Sequence, residues 1–565
     1  MSGSPRLRVP VGHDAHRWST FHGERTLVVA ARTVTSVVRV LEALPALLRG
    51  DSRVTVVFAH DPTSAFDAGV LDLLYDAGCR VMPWAQLADI TPDLILSASE
   101  NIDVPEGGCP VLVLPHGVGF QKRVPDSRSP RDRLSGVVPD PLLESGRAWL
   151  AVSHPAQEEQ LLAAYPKAAG RTLLVGDPCF DELVGSRPLR EVYRESLGLA
   201  PHQRLVVVSS TWGPTSLLGR HPDLPARLLG QLPWDAYRVA AIVHPNVWSA
   251  HGAWQLRTLQ AAALEAGLLL MPAVHAWRPA LVAADVVIGD HGSVTLYGAS
   301  AGTPVLLATV GDDAVPGTAI HDLAGAAPRL DVGGSLLRQV EDVVRDHTPD
   351  RYAAVARRAF AEPGQALARL RAALYRLLAL PEPGSPAPAP ALLPAPDPPG
   401  AAVTSWQVLT GLDGRGGGQP LVVVRRFPAT VGTHDGPAPA FAHLACSDEE
   451  PDLRLTESAS VILRRSAAPT AVGALRWIRD TLARLPGSLL AATPVHAGGC
   501  LVGLRDGRVV EVTATGHGTD PGAAAAVVYT CLLADHPLDD AWVTLRIAGV
   551  RDEDVVLRLR PAVTV

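Results

Sequence analysis

The sequence predicts an α/β chain: two doubly wound parallel-sheet units, a proline-rich linker and a separate C-terminal α+β domain. Three observations carry this. The chain has 565 residues, and single cores stop growing near ~250–300 residues, so two or three domains are expected. Short apolar runs alternate with helical stretches over the first 380 residues, the pattern of sheets covered on both faces. A run of prolines then separates that region from a stretch of different rhythm.

The strand-like runs of the first region are TLVVAA (26–31), VTVVFA (54–59), DLILS (93–97), VLVL (111–114), AWLAVS (148–153) and TLLVG (172–176). They continue with LVVVSS (205–210), VAAIV (239–243), DVVIG (285–289) and PVLLA (304–308). Between them, segments such as 35–48 and 66–77 carry helical spacing of Leu, Val and Ala. Ten strands exceed one compact unit, so two Rossmann-like halves are expected, 1–185 and 186–380, with Arg351–Leu380 as terminal helices broken near Pro363. The segment 381–402 holds proline at 381, 383, 386, 388, 390, 394, 396, 398 and 399 and reads as a stiff extended spacer. Residues 403–565 read as α+β: strands at 420–427, 459–465, 500–504 and 508–514, helices near 470–485 and 521–534, and closing runs WVTLRI and DVVLRLR.

Composition narrows the function classes. Hydrophobic residues make up 47% and charged residues 19%, which excludes wholesale disorder. A net charge of −7 argues against a general nucleic-acid binder. No run approaches the ~18 apolar residues of a membrane span. The opening residues lack an apolar signal core, so a cytoplasmic protein is expected. Only Lys122 and Lys167 are lysine among 50 basic residues, a bias that reflects coding rather than site chemistry. Six scattered cysteines without a C-x-x-C pair exclude a zinc ribbon and read as isolated thiols.

In doubly wound folds ligands bind beyond the carboxyl ends of strands, so the residues after each run matter most. After VLVL stands Pro115-His116-Gly117-Val118-Gly119, a histidine suited to a general base or, equally, to a hydrogen-bonded turn. After VAAIV stands His244-Pro245-Asn246, whose imidazole, neutral or cationic, suits a diphosphate. After DVVIG stands Asp290-His291-Gly292-Ser293, which opens a helix and offers a phosphate site or a plain N-cap. After LVVVSS the turn Thr211-Trp212-Gly213-Pro214 offers hydroxyl and flexible backbone.

The succession LPHGVGFQK (114–122), VGDPCFDEL (175–183), VVVSSTWGPT (206–215), VHPN (243–246) and ADVVIGDHGSVTLYGASAGTPVL (284–306) resembles the CDP-glycerol glycerophosphotransferase family over about 110–380. The non-hydrolysing UDP-N-acetylglucosamine 2-epimerases share much of this layout. The resemblance implies a GT-B fold that moves a glycosyl or glycerol-phosphate-like group from a nucleotide-diphosphate donor to a hydroxyl acceptor. It makes His116 the base. It assigns His244, Asp290, Gly292, Ser293 and Thr211 to the donor diphosphate, and Gly117, Asp181, Gly213 and His291 to the secondary cleft. It calls for no metal and no cofactor.

The chain departs from the family pattern at three points. His291 and Gly292 stand where the family has Tyr and Ser, Cys179 replaces an arginine, and the epimerase glutamate is absent. A nucleotide- or sugar-phosphate-binding sensor or scaffold, with a partner-recruiting C-terminal domain, is the alternative. A UDP-sugar 2-epimerase is third. The family's membrane-bound acceptors leave membrane association undecided, since no basic amphipathic helix is evident.

Other clusters are weaker. His13, His16 and His22 read as a polar loop rather than a metal site. Trp212, Trp248, Trp254 and Trp277 read mainly as packing. Arg32–Ser36 reads as a helix cap or an acceptor-side lining. His496, Glu511 and His517 have no assigned role.

Overall fold

A computed structural model describes residues 6–126, 132–397, 400, 402–413, 419–432, 439–496, 498–515 and 520–560; His517 lies outside them. The first half is built on β1 (Arg25–Ala31), β2 (Val54–His60), β3 (Val81–Pro83), β4 (Leu94–Ser97) and β5 (Val111–Val113). A small antiparallel hairpin follows, β6 (Arg123–Pro125) and β7 (Asp132–Leu134), and then β8 (Ala148–Val152) and β9 (Thr172–Leu174). The seven sheet strands run parallel in the order β3-β2-β1-β4-β5-β8-β9. Reversal of order beside β1 is the switch point of a doubly wound sheet. Apolar residues on both faces of each central strand explain the near-complete burial of β1 and β4.

The second half repeats the plan with β10 (Arg204–Ser210), β11 (Tyr237–Val243), β12 (Leu269–Leu270), β13 (Val286–Gly289) and β14 (Val305–Leu307). Their order is β12-β11-β10-β13-β14, again parallel. The chain is therefore α/β with a GT-B-like pair of Rossmann-like sheets. The sequence reading missed β3 and β12, whose lengths give periodicity nothing to act on.

The terminal helices divide between the halves. Ala353–Ala359 packs on the second sheet, with Tyr352, Val355 and Phe360 in its core. Ala366–Leu377 returns to the first, where Leu367, Leu370 and Leu374 pack with residues of β1 and the Val34–Leu47 helix. The break lies at 360–365, around Pro363.

The proline-rich segment is extended, yet it is not a free spacer. Leu393 is buried in the second half's core, its N–H donates to Ser186 Oγ at 3.0 Å, and its carbonyl accepts from Tyr193 at 2.6 Å. Arg371 holds Glu382 at 3.0 Å and the Pro386 carbonyl at 2.8 Å.

The C-terminal domain is a closed mixed barrel. Its strands are β15 (Ser405–Asp413), β16 (Leu421–Pro428), β17 (Phe441–Ser447), β18 (Val461–Leu463) and β19 (Leu490–Val495). The remaining four are β20 (Gly499–Leu504), β21 (Val509–Ala514), β22 (Ala541–Ile547) and β23 (Arg551–Leu559). They close in the order β15-β16-β22-β23-β21-β20-β19-β18-β17, with β17 paired back onto β15. The helix Pro521–Leu533 has no charged residue, is buried from Gly522 through Cys531, and packs with the inward-facing strand residues. A helix apolar on all sides needs such an enclosure. The helix Ala471–Arg484 has a polar face and covers β19 and β20 from outside.

Candidate functional site

The carboxyl ends of the two parallel sheets meet across a cleft of about 570 Å³. The first half contributes Arg32–Thr35 beyond β1, the 63–66 turn beyond β2, Ser99–Asn101 beyond β4 and Pro115–Gly119 beyond β5. The second contributes Thr211 and Trp212 beyond β10, His244–Asn246 beyond β11 and His291–Val294 beyond β13. His116, His244 and Ser293 therefore line one space.

His116 Nδ1 lies 3.3 Å from the Ala98 carbonyl. A carbonyl only accepts, so this contact fixes the proton on Nδ1 and leaves Nε2 with its lone pair, the form a general base requires. Gly117 is needed for close approach: a Cβ there would stand 2.7 Å from Ser293 Oγ. Val118 N–H donates to the same oxygen at 3.1 Å, so the His-Gly turn rests directly on the start of the Ser293–Ser300 helix. Ser293 is the first residue of that helix, Gly292 is its N-cap, and no side chain caps it. The plain N-cap reading of Ser293 is thus replaced by a contact between the halves.

His244 is the N-cap of the helix beginning at Pro245, and its Nδ1 accepts from Asn246 N–H at 3.1 Å. Burial, with His116 and Lys122 nearby, pushes its pKa down to about 3. Of the two charge states the sequence left open, the fold selects the neutral one, with Nε2–H as donor.

Asp290 is fully buried and lines no part of the cleft. Its carboxylate accepts from Thr211 N and Leu217 N at 2.8 Å each and from Gly292 N at 2.9 Å, which joins the turns that follow β10 and β13. Burial raises its pKa and these amides oppose the rise. His291 is a brace as well as a wall: Nδ1 accepts from Gly311 N–H at 3.1 Å and Nε2 faces Asp313 Oδ2 at 3.0 Å. Gly213, at φ +92°, turns the chain without lining the cleft.

Asp181 departs from its expected place in the cleft. It accepts from Gly364 N at 2.6 Å and Ala366 N at 3.0 Å, because its helix faces the start of the returning terminal helix. Arg32–Ser36 satisfies both of its readings. Thr33 and Ser36 form a capping box, while Arg32, Thr33 and Thr35 line the cleft. Trp212 and Trp277 also line it, whereas Trp254 is exposed on its helix. His13, His16 and His22 are exposed.

Three groups of residues went unread in the sequence. Lys122 crosses from the first half to Asp313 at 3.0 Å and the Trp212 carbonyl at 3.3 Å, with its ammonium 5.2 Å from the Trp212 ring centroid. A rare lysine in an arginine-biased chain was the available signal. Glu100, just past β4, pairs with Arg133 at 2.7 Å on the cleft wall, where the neighbouring Arg133 and His116 oppose burial and keep its pKa low. Arg39, Asp177 and Tyr297 form a buried network: Arg39 Nη2 lies 3.2 Å from both Asp177 Oδ1 and the Tyr297 hydroxyl, which donates to Asp177 Oδ2 at 2.7 Å. Asp177 belongs to the VGDP run, but its partners are distant in sequence.

Among the described residues no helix is long and apolar enough to cross a membrane. No protein-family model and no curated protein matches the chain. Solved structures that align with it include the Wall Teichoic Acid Polymerase TagF, at 12% identity and a TM-score of 0.42, covering 63% of this chain and 90% of that one. A UDP-GlcNAc 2-epimerase from Methanocaldococcus jannaschii aligns at 10% identity and a TM-score of 0.39, covering 62% and 99%. A glycosyltransferase from Rickettsia africae aligns at 10% identity and a TM-score of 0.35, covering 62% and 97%.

Proposed function

We propose that the chain is a GT-B-type transferase that moves a glycosyl or glycerol-phosphate-like group from a nucleotide-diphosphate donor to a hydroxyl acceptor. In this reading residues 1–185, with the returning helix Ala366–Leu377, supply the acceptor side, and the rest of 186–380 supplies the donor side. The observation that carries it is the convergence of His116, His244 and the Ser293 helix start on one cleft. His116 Nε2 takes the acceptor proton. His244 Nε2–H and the free amides at the start of the Ser293–Ser300 helix receive the diphosphate and the charge that grows on it as the bond to the transferred group breaks. The protonated His116 then returns its proton to solvent. The C-terminal barrel, none of whose described residues lines the cleft, serves binding or assembly.

The test is calorimetry against a panel of nucleotides and nucleotide-activated donors, followed by product analysis. His116→Ala should keep donor affinity and lose roughly 10²–10⁴-fold in transfer; undiminished transfer would sink the base assignment. One observation favours a second reading, a sensor that binds without turnover: Ser293 Oγ is already engaged by Val118 N–H. Saturable donor binding without any product, across the panel and with varied hydroxyl acceptors, would decide for it.

A further inference from the structure

A second cavity lies away from the cleft, where the second half meets the barrel. It measures about 250 Å³, and its polar walls include His202, Asp235 and Arg238 from the second half and Arg426, Asp520 and Arg551 from the barrel. The charges are unevenly spoken for. Arg426 engages Asp235 through two nitrogens and Asp520 at 2.7 and 3.0 Å. Asp520 also accepts from Gly522 N at 2.7 Å at the start of the central helix. Both carboxylates are thereby committed.

Arg238 is left over. Its guanidinium lies over the Trp234 ring, 3.4 Å from the centroid, and among the described residues it makes no ion pair or hydrogen bond. Burial pushes its pKa down to about 10, so it remains a cation at neutral pH. Arg551 faces the same space from the barrel, with Nε 2.8 Å from Glu553. The nearest counter-charge to Arg238 is Asp235, which is already engaged by Arg426, so the guanidinium is only partly compensated; stacking orients its N–H fork without satisfying it. The cavity has several times the ~30 Å³ share of one water.

We propose that this junction cavity binds a phosphoryl oxyanion, either free phosphate or the phosphate of a small metabolite, between Arg238 of the second half and Arg551 of the barrel. The ligand supplies the counter-charge that Asp235 and Asp520 give to Arg426, and it ties the barrel to the donor half. The site does not depend on the transferase reading, because it shares no residue with the cleft.

The full chain is titrated calorimetrically with inorganic phosphate and with glycerol 3-phosphate, alongside Arg238→Gln, Arg551→Gln and, as a control for phosphate bound in the cleft, His244→Ala. The proposal expects saturable binding that survives His244→Ala and weakens about tenfold or more in each arginine variant. Tighter binding of glycerol 3-phosphate places the phosphoryl group on a metabolite, and tighter binding of phosphate on the free ion. Absence of saturable binding to both probes overturns the site. So does binding that is lost in His244→Ala and kept in Arg238→Gln. If one arginine variant fails to fold, as judged by circular dichroism, the other is read by the same criteria.

Discussion

Removing the Asp290 carboxylate should loosen the second half's side of the cleft without removing a lining side chain. The parallel register of β10 and β13 aligns Val208 with Ile288 and Ser209 with Gly289. Both strands end together, so Asp290 emerges beside Thr211 and collects amides from two turns at 2.8–2.9 Å. No Lys or Arg among the described residues pairs with it, so its compensation for full burial comes from the neighbouring His291 and these three N–H groups. Hydrogen bonds to a charged group contribute about 1.5–3 kcal/mol each, which sets an upper figure of about 5–9 kcal/mol for three. Asp290→Ala also relieves the cost of burying the charge, so a net loss of about 2–4 kcal/mol is expected. Asp290→Asn should cost less, since its single oxygen can serve the Thr211 and Leu217 amides or the Gly292 amide, but not both. The assay is urea unfolding combined with hydrogen exchange resolved at 211–217 and 292–300, where exchange should rise before the rest of the second half opens. A stability within about 0.5 kcal/mol of the parent, with unchanged exchange at Thr211, Leu217 and Gly292, would refute the reasoning.

Gly117→Ala should separate the His-Gly turn from Ser293, since its new Cβ stands 2.7 Å from Ser293 Oγ. We expect transfer to fall about tenfold or more while global stability drops by only about 1–2 kcal/mol; full activity would deny the contact a role. In the barrel, His443 is 4% exposed, neither ring nitrogen has a hydrogen-bond partner among the described residues, and burial lowers its pKa to about 4. Its folded pKa is below the unfolded ~6.5, so it contributes full stability above that value and loses it as pH falls toward 4. From pH 7 to pH 5 the loss is about 2 kcal/mol, and His443→Leu should remove that part of the slope. Exchange of the Pro521–Leu533 amides, corrected for intrinsic rates, measures it; parallel slopes in the two proteins would disprove the assignment.

Apolar runs of four or more residues were legible because burial on both sheet faces leaves no polar positions to confuse the period. The closure of the barrel was not. It depends on pairs such as Leu421 with Thr544, which no local pattern connects. The central helix did carry a signal, since Pro521–Leu533 holds no charge, but its burial on every side requires strands from both ends of the domain. At the cleft, His116, His244 and Ser293 were found by one rule, the chemistry of strand ends. Lys122 and Asp313 escaped it because they meet across the two halves. Leu393 escaped because a proline-rich context conceals an anchoring residue.

The position of Asp181 bears on how the two halves are joined. The chain crosses between the halves twice, once after β9 and once at 360–365. Asp181 on the first crossing accepts from Gly364 and Ala366 on the second, and Phe180 stacks on Phe360 with centroids 4.0 Å apart. The crossings are thus stitched together and act as one connection. At the cleft, by contrast, residues 121–123 pair with 313–315, Arg123 N donating to Asp313 O at 2.8 Å and Val315 N to Gln121 O at 2.9 Å. Lys122 reaches Asp313 beside them, and Val118 reaches Ser293. The 115–125 segment, which carries His116, is therefore held in place by the second half. Arg278 to Glu42 at 2.6 Å and Arg39 to the Tyr297 hydroxyl at 3.2 Å join the halves as well, so the His116 turn is held at the cleft by a seam of ion pairs and hydrogen bonds in addition to the stitched crossings.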